Sequence, residues 1–151
     1  MNKNPANKSD SNISYGKLLL SIEIIDEQHS KINELFDKMV EVSEHKNYKS
    51  RLVIFDELDE YLKYHFETEE NLMRSAGTID IEKHIQQHDF FRNRLIEIRK
   101  LDQYNSKYLT DLSVNLRVSL LRKWITSHFR DFDSLYVDSV KQYLATTGNK
   151  K

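Results

Sequence analysis

Apolar residues recur at intervals of three and four along most of the chain, a spacing that lays them in one stripe on the face of an α-helix. After Asp26, the positions Ile32, Leu35, Phe36, Met39 and Val40 follow this rule and predict a first helix ending near His45. A second stretch, about residues 49 to 75, aligns Phe55, Leu58, Leu62, His65, Glu69 and Met73, and Gly77 stands where a helix stop is expected. Thr78 or Asp80 suits the cap of a third helix reaching about Leu101, with the stripe Ile81, His84, His88, Phe91, Leu95 and Ile98. From about Leu109 an i, i+4 row of Leu112, Leu116, Leu120, Trp124 and His128 marks a fourth helix. A short amphipathic helix from about Phe132 to Leu144 closes the pattern.

Only Gly16, Gly77, Gly148 and Pro5 are available to punctuate turns, so β-hairpins are disfavoured and long helices follow. Four amphipathic helices on short connectors bury their stripes against one another, and short loops make neighbours antiparallel. The expected fold is all-α: an up-down-up-down antiparallel four-helix bundle over residues 15–145, with an N-terminal arm and a short C-terminal helix. Residues 1–14 and 146–151 read as flexible segments.

Composition narrows the function. At 151 residues the chain is one domain by the usual size of about 100 to 200 residues. With 23 basic against 24 acidic residues there is no blanket basic surface for a phosphate backbone, and nucleic acid is not the expected partner. The longest apolar run is four residues, Leu52 to Phe55, far below the roughly 20 that cross a membrane. The polar opening MNKNPANKSDSN lacks the apolar core of a signal peptide, so a cytoplasmic location is the expectation. The absence of cysteine removes disulfides, thiolate metal sites and thiol catalysis, leaving nitrogen and oxygen ligands.

Five of the six histidines, His29, His65, His84, His88 and His128, fall on or beside the apolar stripes. One such histidine is ordinary; five, with the carboxylate of Glu69, would leave many buried polar groups unpaired at about 1 to 3 kcal/mol each. A metal removes that cost. In an antiparallel bundle the start of the first helix, the end of the second, the start of the third and the end of the fourth share one end, and the candidates occupy those four places. His65 with Glu69, and His84 with His88, have i, i+4 spacing, which puts both side chains on one face. His45 falls at the far end and reads as a surface residue. A carboxylate near His128 is expected to complete the set, and spacing alone leaves Asp131 and Asp133 both open; Asp133 requires the fourth helix to bend or end near residue 130.

The segments IDEQHSKINELF (25–36), HFETEENLM (65–73), HIQQHDFF (84–91) and WITSHFRDFD (124–133) resemble the hemerythrin family, in particular its single-domain bacterial members. The resemblance spans about residues 15 to 140. It implies two iron ions with a bridging oxo or hydroxo group, held by His29, His65, Glu69, His84, His88, His128 and Asp133, and so selects Asp133 over Asp131. Glu69 and Asp133 would bridge, with His84, His88 and His128 on one iron and His29 and His65 on the other. Five imidazoles, two bridging carboxylates and the solvent bridge leave two octahedra one ligand short, on the iron held by only two histidines, and in the family oxygen binds end-on at that open position. The implied function is reversible dioxygen binding, as an oxygen carrier, store or delivery protein and not an enzyme. Small anions such as azide and also nitric oxide are further ligands, and weak peroxidase chemistry stays open. Ile32, Phe66, Trp124, Ile125 and Phe129 occupy positions that line the oxygen pocket in relatives. Phe129 is larger than the aliphatic residue usual there, and Ser21 stands where glycine is common.

Other readings fit less well. A ferritin-like di-iron enzyme needs Glu-x-x-His pairs, and no ExxH occurs. Seven converging ligands exceed one tetrahedral zinc, and HExxH is absent. A sensing module would be favoured by a fused output domain, of which this sequence has no sign.

Overall fold

The structure is a computed structural model describing residues 19–45, 47–104 and 111–148. Among the described residues, five α-helices follow in order: α1 (Glu23–Glu44), α2 (Tyr48–Ala76), α3 (Ile81–Tyr104), α4 (Asp111–Asp131) and α5 (Val137–Gly148), with a 3-10 turn (Asp133–Leu135) between the last two. The expected flexible segment 1–14 and the end of the segment 146–151 lie outside the described residues, and α5 extends past residue 145 to Gly148.

Local chemistry sets the helix ends. α1 begins one turn before Asp26, whose carboxylate accepts the backbone N–H groups of Leu20 at 2.7 Å and Ser21 at 3.0 Å. These bonds hold Ser21 at φ +60°, a left-handed conformation in which glycine would carry no steric penalty. Asn47 caps α2 by accepting from Ser50 N at 3.1 Å. Gly77, at φ +65°, ends α2 in the left-handed geometry a helix stop needs.

α1 packs against α2 and α4, and α3 against α2 and α4, which closes a four-helix ring; α5 lies on α2. The main core joins Ile32, Leu35, Phe36 and Met39 of α1 to Phe55, Leu58 and Leu62 of α2, Phe91 and Leu95 of α3, and Val118 and Ile125 of α4. A second apolar cluster, Leu20, Ile22, Ile25, Met73, Tyr136 and Val140, seals the end of the bundle under α5.

One expectation about packing fails. The leucine row of α4 does not face the core: Leu116 is 60% and Leu120 58% exposed, and the side chain of Leu112 lies outside those described. The buried face is instead Val114, Val118, Leu121, Ile125 and Phe129, with Trp124 half-buried at its edge. α4 offers apolar side chains over a wide arc, and the docking of α1 and α3 on either side selects the valine row. Val40 is likewise exposed at the edge of the α1 stripe.

Candidate metal centre

Each of the four bundle helices delivers donors to one end of the molecule, between the two apolar clusters. His29 comes from the second turn of α1, His65 and Glu69 from the second half of α2, His84 and His88 from the start of α3, and His128 from the last turn of α4. α4 stops at Asp131, and the 3-10 turn that follows swings Asp133 back toward the bundle axis. Asp133 is fully buried, whereas Asp131 is exposed and bonded to Arg130 at 2.7 Å. His45 lies exposed at the other end, its Nδ1 2.8 Å from Glu41 O.

The donors form two overlapping groups, Glu69, His84, His88, His128 and Asp133 in one and His29, His65, Glu69 and Asp133 in the other. All are buried, and within each group one donor atom per residue lies within 4.8 Å of every other. Glu69 turns Oε1 toward His29 and His65, at 3.8 and 3.5 Å from their Nε2 atoms, and Oε2 toward His84 and His88, at 3.6 and 3.2 Å. Asp133 divides in the same way, with Oδ2 3.1 Å from His29 Nε2 and Oδ1 3.3 and 3.1 Å from His84 and His128. The Nε2 atoms of all five histidines, Glu69 Oε2 and both Asp133 oxygens are buried without a hydrogen-bond partner among the described residues. Lone pairs of nitrogen and oxygen turned inward on a common centre are a donor set that fits metal ions.

Electrostatics express the same crowding. Burial opposes charging of His29 and His84, but the carboxylates of Asp133 and Glu69 outweigh it and push both up to about 9. His88 is also raised, against its burial, by Glu69 and Glu70. His65 is fully enclosed, and burial pulls it down to about 4. Burial would raise Glu69 and Asp133, yet the surrounding imidazoles hold both carboxyls well below the usual range.

Three residues that the stripe pattern did not single out touch this centre from outside. The Tyr136 hydroxyl donates to Glu69 Oε1 at 2.6 Å, Gln28 Oε1 lies 2.9 Å from His65 Nδ1, and Glu70 Oε1 lies 3.1 Å from His88 Nδ1. Their sequence signal is slight: Gln28 and Glu70 are direct neighbours of His29 and Glu69, and Tyr136 follows Asp133 by one 3-10 turn.

Aromatic rings complete the walls. Phe129 stacks on His29 with ring centroids 3.6 Å apart and meets His65 edge-on at 5.8 Å. Phe66 stacks on His88 at 3.9 Å, and Trp124 on His128 at 5.4 Å. Ile32 and Ile125 are fully buried in the main core. Phe129 therefore lies on the two-histidine side, while Trp124 backs the three-histidine side.

Fold and site together define a metal-binding helical bundle. A family model described as the hemerythrin HHE cation binding domain matches residues 20–139, and the chain belongs to that family. It is 32% identical over 127 residues to a bacteriohemerythrin of Stenotrophomonas maltophilia (strain R551-3), covering 84% of this chain and 80% of that one. A bacteriohemerythrin of Pseudomonas aeruginosa (strain LESB58) is 29% identical over 125 residues, with 82% and 78% coverage. Among solved structures, a wild-type hemerythrin crystal structure superposes with a TM-score of 0.69 at 22% identity, covering 78% of this chain and 88% of that one.

Proposed function

We propose that this chain binds dioxygen reversibly at a non-haem di-iron centre and serves as an oxygen carrier, store or delivery protein in the cytoplasm. The observation that carries this reading is the split of the two carboxylates. Glu69 and Asp133 each turn one oxygen toward the two-histidine group and the other toward the three-histidine group, as bridges between two metals would. His84, His88 and His128 would hold one iron, His29 and His65 the other, with a solvent-derived oxygen as the third bridge. When bound, a pair of ferrous ions supplies the electrons and the open coordination position that dioxygen requires.

The chain's own residues do the rest. Phe129, flat on His29 and edge-on to His65, makes the side of the two-histidine group apolar and keeps bulk water away from it. The contacts of Gln28 to His65 Nδ1 and of Glu70 to His88 Nδ1 leave the opposite Nε2 lone pairs free to face inward.

Metal analysis combined with an optical spectrum of the reduced protein, before and after air is admitted, tests this reading. Two irons per chain and a spectral change that reverses when oxygen is removed are expected. One zinc per chain, with no response of the iron-reconstituted protein to oxygen, would overturn it.

A further inference from the structure

The hydrogen bonds around the centre sort by half. Tyr136, fully buried, gives its hydroxyl to Oε1 of Glu69, the oxygen that faces His29 and His65. Gln28 serves the same half through His65. Glu70 contacts His88, on the three-histidine side, through Oε1, and accepts from Arg74 at the surface through Oε2.

The orientation of Gln28 follows from its own neighbours. Thr68 donates its hydroxyl to the Tyr64 carbonyl at 2.8 Å, so Thr68 Oγ1 is left to accept, and it accepts from Gln28 Nε2 at 3.2 Å. The amide oxygen of Gln28 must then face His65, Nδ1 of His65 must carry the proton, and its Nε2 is left with a lone pair directed inward. Tyr136 acts on a single oxygen of the Glu69 carboxylate: the phenol occupies one lone pair of Oε1 and leaves the other directed toward the two-histidine group, while Oε2 receives no such bond. Tyr136 arrives from the turn after Asp133, which links the seating of α5 to the setting of Glu69.

We propose that Gln28 and Tyr136 are positioning residues for the metal of the two-histidine half, and that Glu70 is the positioning residue for the other. This assignment rests on the di-iron reading above. It makes the two halves separately adjustable: the two-histidine half would be set by neutral groups, an amide and a phenol, and the three-histidine half by a carboxylate.

The test uses crystals of the iron-loaded protein, soaked without oxygen in a ferrous-iron chelator, with the occupancy of each metal position read from anomalous diffraction. Tyr136→Phe keeps the ring and removes only the hydroxyl; Gln28→Leu keeps the bulk and removes the amide. Both are expected to lose the two-histidine iron at chelator concentrations about tenfold or more below those needed for the parent, with the three-histidine position unchanged. Glu70→Gln is expected to show the reverse preference. A general loss of stability would empty both positions together, and such parallel loss in Tyr136→Phe and Gln28→Leu overturns the proposal, as does occupancy identical to the parent. Parent crystals that never hold two metals would overturn the di-iron reading itself, an outcome visible before any variant is made.

Discussion

The ring of Phe129 lies flat on the imidazole of His29, centroids 3.6 Å apart and planes 17° from parallel. A single residue after His128 thus reaches across the bundle to cover a histidine on α1, and it does so on the side assigned here to oxygen. Its size closes that wall.

Truncation of Phe129 to Ala should leave all seven proposed ligands in place and preserve iron content. The opened wall admits water and small anions, so the oxygenated spectrum should decay faster, and azide should accelerate the decay further. Loss of a buried phenyl ring also costs about 3 to 5 kcal/mol of stability, so decay must be measured on folded, iron-loaded protein. A decay rate equal to the parent's would show that the ring serves packing alone.

Metal loading should be pH-dependent, with a sign set by His29 and His84. Both are raised from 6.5 to about 9 in the metal-free chain, so at pH 7 they hold protons that a metal must displace. Apparent affinity is expected to rise between pH 7 and pH 9 by about tenfold per pH unit for each proton displaced. His65, lowered to about 4, is already neutral there and adds no dependence. The same shifts act on the metal-free fold in the opposite sense: the stabilisation from His29 and His84 is complete below 6.5 and is lost as pH rises through about 9. Calorimetric zinc titrations in two buffers of different ionisation enthalpy count the released protons, and pH-independent loading would count against this picture.

At the other end of the bundle, Arg51 and Asp102 form a buried two-bonded pair at 2.7 and 2.6 Å that joins the start of α2 to the end of α3. Asp102→Ala removes the carboxylate that neutralises a buried guanidinium and should cost about 3 to 5 kcal/mol in urea unfolding. Replacing both residues by apolar ones should recover most of that loss. Iron content per folded chain should stay at the parent's level in both variants, because the pair lies at the opposite end from the seven proposed ligands; iron loss would mean that the two ends are coupled.

The helices and most of the centre were legible in the order of residues alone, because both depend on local periodicity. The i, i+4 pairs His65 with Glu69 and His84 with His88 put their side chains on one face of their helices whatever the partner helix does, and four apolar stripes on short connectors leave few topologies open. The gap between Asp131 and Asp133 did not close that way: the resemblance selected Asp133, and the 3-10 turn that buries it while leaving Asp131 on the surface belongs to the way α5 docks. Leu116 and Leu120 make the same point for packing. Their spacing is as regular as that of Val114, Val118 and Leu121, and only the placement of α1 and α3 decides which row of α4 meets the core. The contact from Tyr136 to Glu69 spans 67 positions in the chain, and no local pattern records a hydrogen bond across that distance. Periodicity acts over a few turns of helix, whereas these choices depend on which surfaces meet once the helices are packed.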